Sequence, residues 1–197
     1  MIKNSQPIIL ASGSPRRKDL LENAGYQFAI VPPEVEEIDD PSIEIRKLTS
    51  MNARLKATAV AQDHPDRIIV AADTLVLFDN ESLGKPADML EAGKMIRRLN
   101  GKTHHVYTAV CILKQASNDL VEFDVSTEVT FKSLEDEEMD RYHALIDPLD
   151  KAGAYAAQEH GHLIIEKSVG SSTNVIGLPM DELAEKLELY FSITPKI

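Results

Sequence analysis

Two arginines and a lysine, Arg16, Arg17 and Lys18, stand directly behind a Ser12-Gly13-Ser14-Pro15 turn. An apolar run, Ile8 to Ala11, leads into the turn, and Leu20 and Leu21 follow it. A junction of strand, small-residue loop and helix start aims backbone N–H groups and the positive end of a helix dipole at one spot. Cations in the first helical turn oppose that dipole, so helix stability does not select them. An anionic ligand reverses the balance, because arginine grips phosphate in a bidentate fork. The competing reading is a solvated basic turn. The stretch is not a P-loop, since the spaced glycines and the Lys-Ser/Thr ending are missing.

Other residues offer complementary chemistry. Asp73 closes the apolar run "RIIVAAD" and precedes Thr74. An acid at a strand end can bind a divalent cation or steer a water, and strand ends are where α/β sheets hold ligands. It can equally cap a turn. "LGKP" presents Lys85 from a restrained loop. "EVEE", Glu34 to Glu37, places carboxylates after two prolines; one of them can ligate a metal, and the rest read as a solvated acidic loop. The histidines lack metal spacing, with no HExxH and no Cys/His cluster. His160 and His162 can share a strand face, but a zinc site needs more ligands. His104-His105 reads as structural. The stretch from Asp150 to Pro179 is dense in Gly, Ala and Ser, which suits tight turns and close backbone approach. Within it the Gln158 amide offers both a donor and an acceptor to a base edge; a plain exposed loop amide is the alternative.

The elements that must position these groups can be read from pattern. Ile8 to Ala11 is a short buried strand. Ser14 and Pro15 form a helix-start pair, and that helix stops at Gly25. Phe28 to Val31 is a strand. Asp40-Pro41 starts a second helix, with Ile45, Leu48, Met51, Leu55 and Ala59 on its buried face. "TLVLF" continues extended beyond Asp73, and "LGKP" is a loop. Asp88 to Leu99 is a helix with Gly101 beyond its end. Val106 to Leu113 is β-rich. Val121 to Phe131 alternates as a half-buried strand, and "QASNDL" between the two suggests an antiparallel hairpin. "SLEDEEMDRYHALI" is a helix capped by its serine, "GHLIIE" a strand and "MDELAEKLELY" a final helix. This order favours an α/β protein with a mixed sheet.

The totals bound the function. The chain has 197 residues, is 43% hydrophobic and carries a formal net charge of -11. That charge argues against nucleic acid and membrane surfaces as partners and leaves room for a small anion where cations cluster. The single cysteine, Cys111, forms no intramolecular disulfide, and in "TAVCIL" it reads as a buried small hydrophobe. The N-terminus is too short and polar for a signal peptide, and no apolar run approaches the ~20 residues that span a bilayer. The expected compartment is the cytoplasm.

The segments "LASGSPRRKDLL", "EVEE", "LKATAVA", "AADTLV", "LGKP", "LNGKTHHVYTAV", "DKAGAYAAQ" and "VGSSTNVIGLP" follow one another as they do in the Maf-like nucleotide pyrophosphatases. From Ile8 to about Leu187 the chain resembles that family. The resemblance implies one Maf-like domain over residues 1–197, with two lobes around a central cleft. It implies a mixed, strongly twisted sheet flanked by helices, akin to inosine-triphosphate pyrophosphatases. The implied activity is hydrolysis of nucleoside triphosphates to the monophosphate and pyrophosphate with a divalent cation, Mg2+ or Mn2+, in a family whose members often form homodimers. By motif, Asp73 corresponds to the proton acceptor. Arg16, Thr74 and Gln158 fall at positions tied to substrate choice, and Glu36, Lys56 and Lys85 at other polar positions of the site. The expected division is Asp73 and Lys85 in catalysis, Ser12, Arg16, Arg17, Lys56, Thr74 and Gln158 on the substrate, and Glu36 with Asp73 on the metal. "SPRR", "DKAGAY" and Gln158 look like the dTTP/UTP branch rather than the 7-methyl-GTP branch, which has a glutamate where Gln158 stands. Glu159 departs from the glycine usual in the former branch. A nucleotide-binding regulator of cell division with little turnover is the reading from a different class.

Overall fold

The computed structural model describes residues 8–196. The N-terminal segment read above for a signal peptide lies, through residue 7, outside the described residues. In chain order the elements are β1 (Ile8–Leu10), α1 (Pro15–Asn23), β2 (Phe28–Ile30), α2 (Ile45–Asp63), β3 (Ile69–Phe78), β4 (Glu81–Leu83), α3 (Met89–Leu99), β5 (Thr103–Lys114), β6 (Asp119–Phe131), α4 (Asp136–His143), β7 (Ile165–Val169), α5 (Ser172–Ile176) and α6 (Met180–Phe191). The strands form a mixed seven-stranded sheet in the order β2-β1-β3-β5-β6-β7, with β4 paired to β3. β1 runs parallel to β2 and β3, whereas β3–β4 and β6–β7 are antiparallel. Among the described residues no helix is long and apolar enough to cross a membrane.

The chain divides into two compact units. The first takes the described residues up to Asp73, Thr108–Asp124, and the residues from Gly177 on. Its parallel strands are covered on both faces, as near-continuous apolar runs require. Ile8, Leu10, Val70 and Ala72 pack with Leu21 of α1 and with Leu183 and Leu187 of α6. Their neighbours Ile9, Ala11, Ile69 and Ala71 pack with Ala53, Ala57 and Ala61 of α2. Small side chains there let the helix lie close to the sheet.

The second helix departs from expectation twice. It begins at Ile45, not at Asp40-Pro41, because the Asp40 carboxylate takes the backbone N–H and the hydroxyl of Ser42 into a turn. Glu44 instead caps the helix by accepting from Lys47 N–H. Its buried stripe runs through Ile45, Leu48, Thr49, Asn52, Ala53, Lys56, Ala57, Val60 and Ala61. Met51, Leu55 and Ala59 are only half-buried. Polar residues occupy the inward face, which a search for apolar periodicity passes over.

The second unit holds Thr74–Tyr107 and Val125–Ile176. Val76, Phe78, Ile96, Leu99, Phe131, Tyr142 and Tyr155 form its core. Arg97 of α3 grips α4 through Asp136 at 2.9 Å and Asp140 at 2.8 Å. The strand β4 takes in Leu83, the first residue of "LGKP", and folds back on β3 through Asp79 and Asn80 at positive φ. Glu135, not Ser133, caps α4, in a reciprocal box with Glu138. The "GHLIIE" stretch splits into a tight turn at Gly161–Leu163 and β7 from Ile165. The tight turn leaves exposed His160 in the left-handed region, not on a strand.

Candidate active site

Asp73 does not end its strand; β3 runs through it to Phe78. Side chains alternate along a strand, so Asp73 follows Ile69 and Ala71 onto the face that α2 covers. On α2, Lys56 lies between Ala53 and Ala57 in the buried stripe. The two meet there: Lys56 Nζ donates to Asp73 Oδ1 at 2.7 Å, and both residues are buried, at 7% and 5% exposure. Half-exposed Glu37 supplies a second carboxylate to Lys56, with Nζ to Oε2 at 3.0 Å. The other Asp73 oxygen, Oδ2, is buried and has no hydrogen-bond partner. One helical turn before Lys56, buried Asn52 pins the acidic loop. Its amide accepts from Ile38 N–H at 2.8 Å and donates to Ile38 C=O at 3.0 Å. The loop is thus anchored by the residue next to Glu37.

The basic turn is equally ordered. Arg17 Nε donates to the Gly177 carbonyl at 2.8 Å and Nη1 to Ser12 Oγ at 3.2 Å. Ser12 Oγ also accepts from Ser14 N–H at 3.2 Å. Ser14 starts α1 without a capping bond from its own side chain, and no acid lies in the first turn. Burial lowers the Arg17 pKa; the Asp73 charge opposes this, Arg16 reinforces it and Glu37 opposes it. The guanidinium stays cationic at neutral pH. Ser12, Arg17, Glu37, Lys56 and Asp73 therefore form one electrostatic neighbourhood in the first unit. Glu36 is exposed, and it is Glu37 that reaches Lys56.

Thr74, Lys85 and Gln158 belong to the second unit. Thr74 is half-buried on β3, whereas Lys85 and Gln158 are exposed. The loops that carry these last two are tied together, since Gly153 N–H donates to Gly84 C=O at 3.0 Å. Gly153 sits at φ +71°, and a Cβ there would meet Val76 Cγ2 at 3.0 Å, so the position needs glycine. The following residues are clamped from two elements. His143 Nε2 bonds the Ala154 carbonyl at 3.0 Å. Tyr142 Oη donates to Ala156 C=O at 3.0 Å and accepts from Ala156 N–H at 2.9 Å. His104 of β5 meets Tyr155 Oη at 2.9 Å. Buried Lys151 holds the Asp147 carbonyl at 2.7 Å and Asp150 at 2.8 Å, and lies 3.7 Å from Glu159. Glu37, Asn52, Tyr142 and Lys151 are the polar residues that pattern reading did not assign. Only the position of Asn52 one turn before Lys56 signalled any of them.

Among the described residues, no group of three or more His, Cys, Asp or Glu side chains can hold a metal. The unpartnered Asp73 Oδ2 still fits a hard cation of the Mg2+ type. Such ions are held by one or two carboxylates and complete their shell with substrate phosphates and water.

The chain is similar to known proteins over most of its length. A dTTP/UTP pyrophosphatase of Akkermansia muciniphila is 45% identical over 181 residues, which is 92% of this chain and 95% of that protein. A dTTP/UTP pyrophosphatase of Bacillus cereus is 44% identical over 188 residues, 95% of this chain and 92% of its own. Among solved structures, a HAM1 protein from Coxiella burnetii aligns with 63% of this chain and 72% of its own, at 16% identity and a TM-score of 0.46. Residues 7–190 match the family described as "Maf-like protein". The chain belongs to that family.

Proposed function

We propose that this protein hydrolyses nucleoside triphosphates, dTTP and UTP foremost, to the nucleoside monophosphate and pyrophosphate. The observation that carries the reading is Asp73: a buried carboxylate with Oδ1 held by Lys56 and Oδ2 without a partner. An acid held this way is oriented before substrate arrives, which is the condition for catalysis by positioning and charge. The names of the relatives that span nearly the whole chain support the substrate class.

Asp73 Oδ2 orients the attacking water and receives its proton as the water attacks the α-phosphorus in line. The bond from that phosphorus to the bridging oxygen breaks, and pyrophosphate leaves. Lys56, Arg16 and Arg17 offset the charge of the phosphate chain, with Lys85 acting on the leaving pyrophosphate. Ser12 and Thr74 donate hydroxyls to the substrate. Asp73 Oδ2 and the acidic loop at Glu36 and Glu37 would hold a Mg2+ or Mn2+ ion, which supplies a more acidic water and charge neutralisation when bound. The Gln158 amide matches the O4 acceptor and N3–H donor of uracil and thymine. The cytoplasm, where such nucleotides occur, is the setting.

The test is pyrophosphate release over a panel of nucleotides with Mg2+ or Mn2+, and with the ion chelated. Wild type should turn over dTTP and UTP and lose activity with chelator. Asp73→Asn should fold and lose on the order of a thousandfold in kcat. An Asp73→Asn protein at the wild-type rate refutes the role of Asp73. Binding without turnover refutes the enzyme reading in favour of a nucleotide sensor. A preference for 7-methyl-GTP refutes the pyrimidine assignment.

A further inference from the structure

Gln158 is exposed, yet it closely follows a backbone segment held by buried side chains. His143 bonds the Ala154 carbonyl and Tyr142 the Ala156 backbone, while His104 meets the side-chain hydroxyl of Tyr155 between them. The Tyr142 contact differs from the other two in kind. A single hydroxyl saturates both polar backbone groups of Ala156, donating to the carbonyl and accepting from the N–H. This mimics a strand neighbour at one residue and fixes the plane of the peptide on each side of it. Tyr142 itself is almost wholly buried, at 1% exposure. It sits on α4, which the reciprocal Glu135–Glu138 cap and the Arg97 bridges to Asp136 and Asp140 hold in place. Two residues beyond Ala156 the chain reaches Gln158, and one further on Glu159 returns to buried Lys151 at 3.7 Å. The base-reading amide is therefore suspended between two fixed points, the Tyr142 hydroxyl before it and the Lys151 ammonium after it.

We infer that Tyr142 is a positioning residue for base selection: its hydroxyl, through Ala156, sets the orientation from which Gln158 reads the pyrimidine. The inference rests on the pyrophosphatase reading and deepens it. An amide side chain can turn over and match either a uracil edge or a cytosine edge, since it carries one acceptor and one donor group. A backbone held on both sides restricts which way it faces. Releasing Ala156 lets the Gln158 backbone shift and the amide present either face. Discrimination between UTP and CTP then falls, while the chemistry at the phosphates, carried by other residues, continues.

The experiment compares wild type, Tyr142→Phe, Gln158→Ala and the double variant, with kcat and KM measured separately for UTP and CTP below the melting temperature of each protein. Tyr142→Phe keeps the ring and removes only the hydroxyl. We expect its KM for UTP to rise about tenfold with kcat changed less than about twofold, and its UTP/CTP preference to fall about fivefold, as for a lost hydrogen-bond reader. In the Gln158→Ala background the same substitution should leave the preference unchanged, because coupled residues are not additive. Unchanged selectivity in Tyr142→Phe, or an equal selectivity loss with and without Gln158, overturns the inference even where the melting temperature drops. Should Tyr142→Phe not fold, 4-fluorophenylalanine incorporated at position 142, which fills the space of the hydroxyl without its hydrogen bonds, carries the test. It must lower the UTP/CTP preference in wild type and not in Gln158→Ala; failing that, the inference is refuted. Absence of turnover in the wild-type protein refutes the pyrophosphatase reading instead.

Discussion

Without its ammonium, Lys56 would leave Asp73 as a buried carboxylate facing no cation on α2. Taking one partner from a buried ion pair costs about 3–5 kcal/mol, because the remaining charge cannot return to water. Lys56→Met should therefore lower the urea unfolding free energy by roughly 3 kcal/mol, and Lys56→Met/Asp73→Asn should recover much of that loss, since neither residue is then charged. A single variant with an unchanged unfolding midpoint would show that Lys56 does not hold Asp73. The sequence made Asp73 and Lys56 visible as candidates, one by its place in an apolar run and the other by resemblance. It could not make Glu37 visible. Glu34, Glu36 and Glu37 are alike in type and share a loop of no fixed period; which of them meets Lys56 follows from where Asn52 pins Ile38.

At the level of elements, α2 organises the first unit through its polar inward face. Asn52 is buried at 3% exposure and satisfies both backbone groups of Ile38. Asn52→Ala leaves those groups without their partner, at a cost of about 1–3 kcal/mol. The loop from Glu34 to Asp40 should then be cut faster by a nonspecific protease, while α2 itself, held by its alanines on the sheet, stays protected. Equal cleavage rates in the two proteins would show that the loop is held by other means. The same helix explains where pattern reading strayed. Periodicity found that a helix is there, because apolar spacing is a local signal. The start moved because a side chain of the loop competed for the backbone, and the face turned because Thr49, Asn52 and Lys56 are buried for reasons of partnership, not hydropathy. Likewise α5 and β4 are too short to carry a period of their own.

Across the whole molecule, burial of two histidines contributes to the response to acid. Burial, with His105 adding to it, pushes His104 from an ordinary value of 6.5 down to about 4. His143 is lowered too, by burial first, with its bond to Ala154 opposing. In the unfolded chain these rings take up protons near pH 6.5, whereas the folded protein binds its proton on His104 only near pH 4. The unfolded state thus binds more protons between those values, so the stability contributed above pH 6.5 is lost as pH falls toward 4, by up to ~1.4 kcal/mol per unit for one group. Unfolding midpoints at pH 7.5, 6 and 5 should fall in that order, and His104→Gln should flatten part of the slope. A flat profile in the wild type would show that His104 does not remain neutral in the folded state. Cys111, at 1% exposure and with its thiol pushed up to about 12 by burial, takes no part in this range. The division of the chain has a further consequence. One unit is built from three segments and the other from two, with the chain passing between them after Asp73, Tyr107, Asp124 and Ile176. No single breakpoint separates them: a truncation or a recombination event anywhere between residues 74 and 176 leaves neither unit whole. Asp73 and Thr74 are adjacent in sequence yet assigned to different units, and neither unit can be exchanged with another gene as one contiguous piece.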